Sequence, residues 1–490
     1  MVSAGLFLAL GLLVVECALY LSQAAFVDHI ESSVLIVGWQ YIHGMPMYGI
    51  ESGAPHFATY YGPLAYLAAL PGVLLFGPGI TSAKLVFVLA PLAALAILAR
   101  HVRQRGPASA RATLLLLTSG LLSLGVTAYW LRPDPLEMLL VTAAVVLGAG
   151  VTGAFGVGIC LGLAVNLKVH AFLYFAPVLF DLLQRRGWRH AALAIGISIV
   201  VFLLPFLAHG ISLADYRFAL AQQVGARSID PHLVVLWLYW SLLLAVPLIA
   251  GLTTAGPDVS LADRRYTWAA IVTLAVLGYP ATFPGAGPYH LMPLIPVLAD
   301  AFGRLRPRHM VPVLAPIALF AVGVGAFGRA VVMLVGRGGM NAAAQEAVLL
   351  ADSRPGVSVQ VGYGHTLEDY ELSQLSRTLL SLHGRPALID GQVLMELAVA
   401  GIDGSQRWIP LLRDCRVVLW VIPRGEEPFT LGTFYNAAPP FDAAFRTEFH
   451  AAYRLEHSGP RFDVWECDGR TGDMGDAKRS AFETGHDRGK

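Results

Sequence analysis

Apolar residues in this chain come in long runs, not in alternation or in stripes. Eleven runs cover 2–22, 80–99, 112–128, 136–151, 153–167, 171–183, 191–208, 233–252, 267–283, 289–303 and 311–328. A bilayer core of ~30 Å takes about 20 apolar helical residues, so the runs predict eleven transmembrane helices. A twelfth stretch, 60–76, is interrupted by Pro63 and Pro71 and carries several tyrosines. Charge placement decides whether it crosses. Four short loops, Arg100 to Arg111, Arg185 to Arg189, Arg264-Arg265 and Arg304 to Arg308, hold 12 Lys/Arg between them. Cytoplasmic loops are the ones enriched in Lys and Arg. All four lie inside if 60–76 does not cross, and outside if it does. It is therefore expected as an interfacial or re-entrant segment of an outer loop at 23–79, with the N-terminus inside and the C-terminal region outside. The first run lacks the basic flank of a cleaved signal peptide and is taken as a span.

The pattern changes near Gly336-Arg337-Gly338-Gly339. Residues 1–335 hold 18 Lys/Arg and 12 Asp/Glu, whereas 336–490 hold 16 and 21 in less than half the length. This predicts a membrane domain over 1–335, a soluble domain over 336–469 and a disordered polar tail over 470–490. In the soluble part Val357–Val361, Pro386–Asp390, Arg416–Ile422 and Phe462–Cys467 read as strands. Residues 366–383, 391–401 and 441–452 read as helices, giving a small α/β domain. Cys415 and Cys467 are its only cysteines; they form a disulfide or stand as two buried thiols. Overall, 56% of the 490 residues are hydrophobic and 14% charged. A soluble domain averages about 25% charged residues. A cytosolic enzyme, a disordered chain and a disulfide scaffold are excluded, and a net charge of +1 supplies no field for nucleic acid.

The predicted topology gathers scattered polar residues on the outer face. They are Asp28, His29 and Glu31; Tyr60, Tyr61 and Tyr66; Trp130, Arg132 and Asp134; Asn166, Lys168 and His170; and Tyr289 and His290. Ionisable groups at membrane depth are costly and mark function. Asp28 and Glu31 share a helix face or are ordinary acids where a span ends. His29 between them is a metal ligand or a bystander. Asp134, followed by Pro135 and by Glu137 three residues on, fits a helix N-cap, yet the adjacent Arg132 has no part in a cap. Lys168 is a snorkelling lysine or a point charge for a phosphate. His290 is a loop histidine or a donor to a phosphate or acceptor. Tyr60, Tyr61 and Tyr66 form an interfacial belt or contact a sugar or lipid head group.

Carboxylates and separated cations at an outer leaflet suit a lipid-phosphate substrate. A carboxylate takes a proton from an acceptor hydroxyl, and cations stabilise the departing phosphate. No Walker motif, dinucleotide fingerprint, HExxH or GxSxG occurs in usable context. A transporter or flippase of a lipid-linked saccharide is the alternative; it calls for polar groups at mid-bilayer and repeated halves.

Residues 5–335 resemble the GT-C superfamily of polytopic glycosyltransferases, particularly its protein-mannosyltransferase and aminoarabinose-transferase-like group. The resemblance lies in the acid after the first span (Asp28, with Glu31), Tyr-Gly-Pro-Leu-x-Tyr at 61–66, Arg-Pro-Asp-Pro-Leu at 132–136, Gly-Leu-Ala-Val-Asn-Leu-Lys at 162–168 and Pro-Tyr-His-Leu-Met-Pro-Leu-Ile-Pro at 288–296. Gly62 stands where that group usually has proline. The resemblance implies a multi-pass protein of the inner (plasma) membrane with a periplasmic or extracytoplasmic C-terminal domain. It implies a polyprenyl-phosphate sugar donor, a lipid, glycan or protein acceptor, and inverting transfer. Asp28 becomes the general base, with Glu31 and Asp134 as further catalytic acids. Arg132, Lys168 and His290 become phosphate contacts, and Tyr60, Tyr61 and Tyr289 sugar or lipid contacts. Some members use a divalent ion such as magnesium or manganese and others none; Asp28 and His29 are its candidate ligands here.

Overall fold

The computed structural model describes residues 2–49, 60–150, 152–225, 228–306 and 311–468; the expected disordered tail at 470–490 lies outside them. The chain divides into two compact units, Met1–Ala342 and Ala343–Lys490.

The first unit is helical. Its helices are α1 (Val2–Ser22), α2 (His29–Ile42), α3 (Pro63–Leu67), α4 (Leu70–Phe76), α5 (Ile80–Val102), α6 (Pro107–Leu124), α7 (Pro133–Gly148), α8 (Gly153–Leu167), α9 (Phe172–Arg186), α10 (Trp188–Leu203), α11 (Leu213–Gly225), α12 (Pro231–Thr254), α13 (Leu261–Val276), α14 (Gly278–Ala281), α15 (Ile295–Arg304) and α16 (Val311–Gly336). Each of the eleven apolar runs falls on a helix of this series. Among the described residues, six helical segments are long and apolar enough to cross a membrane. The chain is thus a multi-pass membrane protein. The run at 289–303 opens as a 3-10 stretch, Pro288–Leu294, before α15; Pro293 and Pro296 each withhold an N–H there. The 60–76 stretch forms two helices of five and seven residues, α3 and α4, with Pro63 and Pro71 in their first turns. Proline is tolerated at that position because the N–H there has no intrahelical partner.

Helix α7 packs against α5, α8, α9 and α15, so residues at its start face several elements at once. At one end of the bundle a chain of ion pairs joins the basic loops. The buried Asp300 carboxylate lies 2.7 Å from the Arg105 guanidinium and accepts from Arg304 at 2.8 Å. Arg304 also meets Asp181 at 2.9 Å, and Arg185 bridges Asp181 and Asp263, each at 2.7 Å. Arg304 lies 4.0 Å over the Tyr266 ring. All four basic loops, or residues beside them, meet here, so they share one end of the bundle.

The second unit carries a four-stranded sheet. Its strands are β1 (Val359–Val361), β2 (Leu419–Pro423), β3 (Tyr453–Ser458) and β4 (Phe462–Cys467), in the order β1-β2-β4-β3. β1 and β2 are parallel and the other pairs antiparallel. After α17 (Gly338–Asp352), which runs into this unit, come α18 (Leu367–Leu382), α19 (Gly391–Val399), α20 (Ile409–Arg413) and α21 (Ala443–Ala452). Every β2 side chain is buried, as a continuous apolar run requires in a central strand. Residues 386–390 do not pair as the expected strand. The Gln360 amide donates to the Pro386 carbonyl at 2.7 Å and accepts from the Leu388 N–H at 3.0 Å, taking the place of a strand partner. β3 is an edge strand with only Tyr453 buried, and its polar sequence carries no strand pattern. Cys415 and Cys467 form a disulfide with Cα atoms 5.9 Å apart.

Candidate active site

Helix α2 begins with a capping box. The Asp28 carboxylate accepts from the Ile30 N–H at 2.9 Å, and Glu31 reaches back to the N-cap backbone. The Glu31 carboxylate is fully buried. It accepts from the Val27 N–H at 2.6 Å, the Asp28 N–H at 3.1 Å and the Leu131 N–H at 2.8 Å. The Tyr20 hydroxyl donates to it as well. Glu31 therefore locks the α1–α2 connection onto the segment before α7, while the half-buried Asp28 keeps an outward face. Replacing Glu31 with glutamine puts an NH2 group against backbone donors. The expected cost is about 2 kcal/mol or more, read as a lower melting temperature in detergent.

Arg132 is the centre of the cluster. Asp134 fits an N-cap by sequence, but the helix starts two residues earlier. Arg132 occupies the N-cap position, Pro133 is the first helical residue and Asp134 lies inside the first turn. Two prolines two apart each satisfy the first-turn rule, and the outer one prevails. The Arg132 guanidinium meets Asp28 Oδ1 at 3.3 Å. It donates to the Tyr61 hydroxyl at 2.9 Å and the Tyr289 hydroxyl at 3.2 Å. It lies 4.2 Å over Trp130 and 4.7 Å over Tyr289, the stacking that favours arginine over lysine. Its Nε is buried without a hydrogen-bond partner. Burial opposes ionisation of Asp28, yet Arg132, His29 and the Ile30 N–H hold its carboxyl below the usual carboxylate value.

Asp134, released from capping, is buried and bonds Lys168 at 2.5 Å. Lys168 ends α8 in an extended conformation. Its ammonium stands 5.4 Å from the Tyr61 ring centre and 5.5 Å from that of Tyr289. The two cations therefore flank the same pair of tyrosine rings. One turn beyond Asp134, the buried Glu137 has no hydrogen-bond partner for either oxygen. Sequence reasoning treated Glu137 only as a capping partner; its signal was an acid inside an apolar run. His290 is buried, and its Nδ1 lies 3.2 Å from His170 Nε2.

Gly62 brings Tyr61 to Lys168. A Cβ at position 62 would sit 1.9 Å from the Asn166 carbonyl oxygen, so only glycine lets the chain pass the end of α8. The Gly62 N–H donates to the Leu167 carbonyl at 3.2 Å, and the Leu64 N–H to Asn166 Oδ1 at 2.9 Å. Tyr61 and Tyr289 are buried and committed to Arg132, whereas Tyr60 packs edge-on against Tyr61 and is only half-buried. Lys84 does not join the cluster: its ammonium donates to the Tyr20, Gln23 and Ala25 carbonyls at 3.2, 2.8 and 2.7 Å and closes the turn after α1. Arg337, not anticipated as part of the site, donates to the Phe26 carbonyl at 2.6 Å, two residues before Asp28.

Asp28 Oδ1 is engaged by Arg132 and the Ile30 N–H, and Glu31 is enclosed by four donors. Among the described residues no three His, Cys, Asp or Glu side chains converge on a metal position.

Solved structures share this fold. ArnT from Cupriavidus metallidurans bound to undecaprenyl phosphate superposes with a TM-score of 0.62 at 15% identity, covering 96% of this chain and 99% of that one. The apo state of ArnT from the same organism gives 0.56 at 14% identity, covering 94% and 98%. At this identity the likeness is one of fold, and it agrees with the GT-C-like architecture expected from the sequence. No protein-family model and no curated protein sequence matches the chain.

Proposed function

We propose that this chain is an integral-membrane glycosyltransferase that moves a sugar from a polyprenyl-phosphate donor to an acceptor hydroxyl. One observation carries the proposal. Two buried cations, Arg132 and Lys168, bracket Tyr61 and Tyr289 beside the exposed face of Asp28, in the fold of a protein whose structure holds undecaprenyl phosphate. That comparison does not favour a transporter or flippase.

Asp28 takes the acceptor hydroxyl proton as the acceptor oxygen attacks the anomeric carbon. The bond from that carbon to the phosphate oxygen breaks, and polyprenyl phosphate leaves. A single displacement from the opposite face inverts the anomeric centre. Arg132, through its unpaired Nε, Lys168 and His290 hold the charge that develops on the phosphate. Asp134 holds Lys168 in place, and Tyr60 lines the sugar or lipid. The phosphate draws Arg132 away from Asp28, so donor binding strengthens the base. The site faces the outer side of the inner (plasma) membrane, and residues 336–469 form an extracytoplasmic or periplasmic domain that supports or presents the acceptor, which is a lipid, glycan or protein.

The test is incubation of the purified protein with polyprenyl-phosphate sugars and candidate acceptors. Release of free polyprenyl phosphate together with glycosylated acceptor is the expected result. Movement of intact donor across a vesicle membrane without bond cleavage overturns the proposal.

A further inference from the structure

The His170 and His290 rings lie 5.0 Å apart, tilted by 37°, with Nε2 of the first 3.2 Å from Nδ1 of the second. One of these nitrogens must carry the shared proton. The Tyr174 hydroxyl donates to the His290 carbonyl at 2.8 Å, and the Tyr289 ring centre is 4.6 Å from that of His290, so the backbone and ring of His290 are both braced. The groups around His170 are Lys168, Asp134 and Tyr174.

We infer that His170 is a positioning residue for the proposed transfer: it donates from Nε2 to His290 Nδ1 and so keeps the His290 proton on Nε2, as a donor to the phosphate. The inference rests on the proposed function. A neutral imidazole carries one N–H. Burial, with Lys168 alongside, pushes the His170 imidazole down to about 3 and keeps it neutral. If His290 donated instead, its Nε2 would be a bare lone pair, which a phosphate oxygen repels. The tautomer of a ligand-binding histidine is set by the partner of its other nitrogen, and here that partner is a second histidine.

The test uses the purified full chain and undecaprenyl phosphate itself, titrated in detergent between pH 5.5 and 8.5. The wild type sets the reference profile, which carries the titration of the phosphate monoester itself, second pKa about 6. In His170→Asn the amide reproduces the Nδ1 side of the ring and cannot reach Nδ1 of His290. Affinity falls about tenfold, the size of one hydrogen bond to a charged group. His170→Gln, whose amide nitrogen coincides with Nε2, restores wild-type affinity across the range. His170→Leu serves as the removal variant if the asparagine chain does not fold. Unchanged affinity and pH profile in the removal variant, or a glutamine variant as weak as it at every pH, overturns the inference. A wild type that does not bind undecaprenyl phosphate overturns the proposed function, and the two failures are told apart on that single measurement.

Discussion

Replacing Asp28 with asparagine is expected to slow release of polyprenyl phosphate by about 10²–10⁴-fold, the usual contribution of a general base. The same change should lower the melting temperature only by the share that the Arg132 pair contributes, with the fold intact. Asparagine caps helices as well as aspartate does, so the bond to the Ile30 N–H survives, as does the framework that Glu31 builds around it. Loss of rate without loss of fold separates a base from a cap. The pH dependence has a definite sign. Arg132 and its companions hold the Asp28 carboxyl below the usual value in the resting protein. The base is therefore competent at neutral pH and is lost only as pH falls through that depressed value. Folding stability linked to Asp28 is likewise present above the unfolded carboxylate value and lost on acidification through the folded one. Full activity of Asp28→Asn would remove Asp28 from the mechanism.

The second large effect concerns Lys168 and Asp134. Both are buried, 2.5 Å apart. Lys168→Met removes the partner of a buried carboxylate that already has one unpaired oxygen. Breaking such a pair costs about 3–5 kcal/mol, visible as a large fall in melting temperature. The double variant Asp134→Asn with Lys168→Met removes both charges and should recover most of that stability. It should not recover undecaprenyl phosphate binding, because the point charge for the phosphate is gone. The double-mutant cycle thus separates scaffold from ligand. Recovery of binding along with stability would show that Lys168 serves the fold alone.

The eleven apolar runs each became a helix because the hydrocarbon length criterion acts on one segment at a time. The interruption of 60–76 was legible in Pro63 and Pro71, since each fixes a helix start. Asp28, Arg132, Lys168 and His290 were legible because a charge or imidazole among apolar spans is costly and stands out. What sequence could not give was partnership. Asp28 and Glu31, three apart, suggested a shared helix face. The same spacing is a capping box, and Glu31 faces inward because Tyr20 and the Leu131 N–H arrive from about 11 and 100 residues away. The helix start at Pro133 or Pro135 is locally undecided; the structure starts it at Pro133 and pairs Asp134 with Lys168. Gly62 read as a departure from the family pattern, and its reason is a carbonyl belonging to Asn166. In the second unit, β3 was missed because an edge strand with one buried residue has no alternation to detect.

The ion pairs around Asp300 and Arg304 have a mechanical consequence. Asp181, Asp263, Asp300, Arg185 and Arg304 come from α9, α13 and α15, and Arg105 from the 3-10 turn after α5; Asp300 is wholly shielded from water. Sliding these elements past one another would part opposite charges where little solvent can replace them. The helices are thus bound at one end like pages at a spine. Under the proposed function, space for the donor's lipid tail is expected to open away from this spine, at the start of α7 and the end of α8 where Arg132 and Lys168 sit.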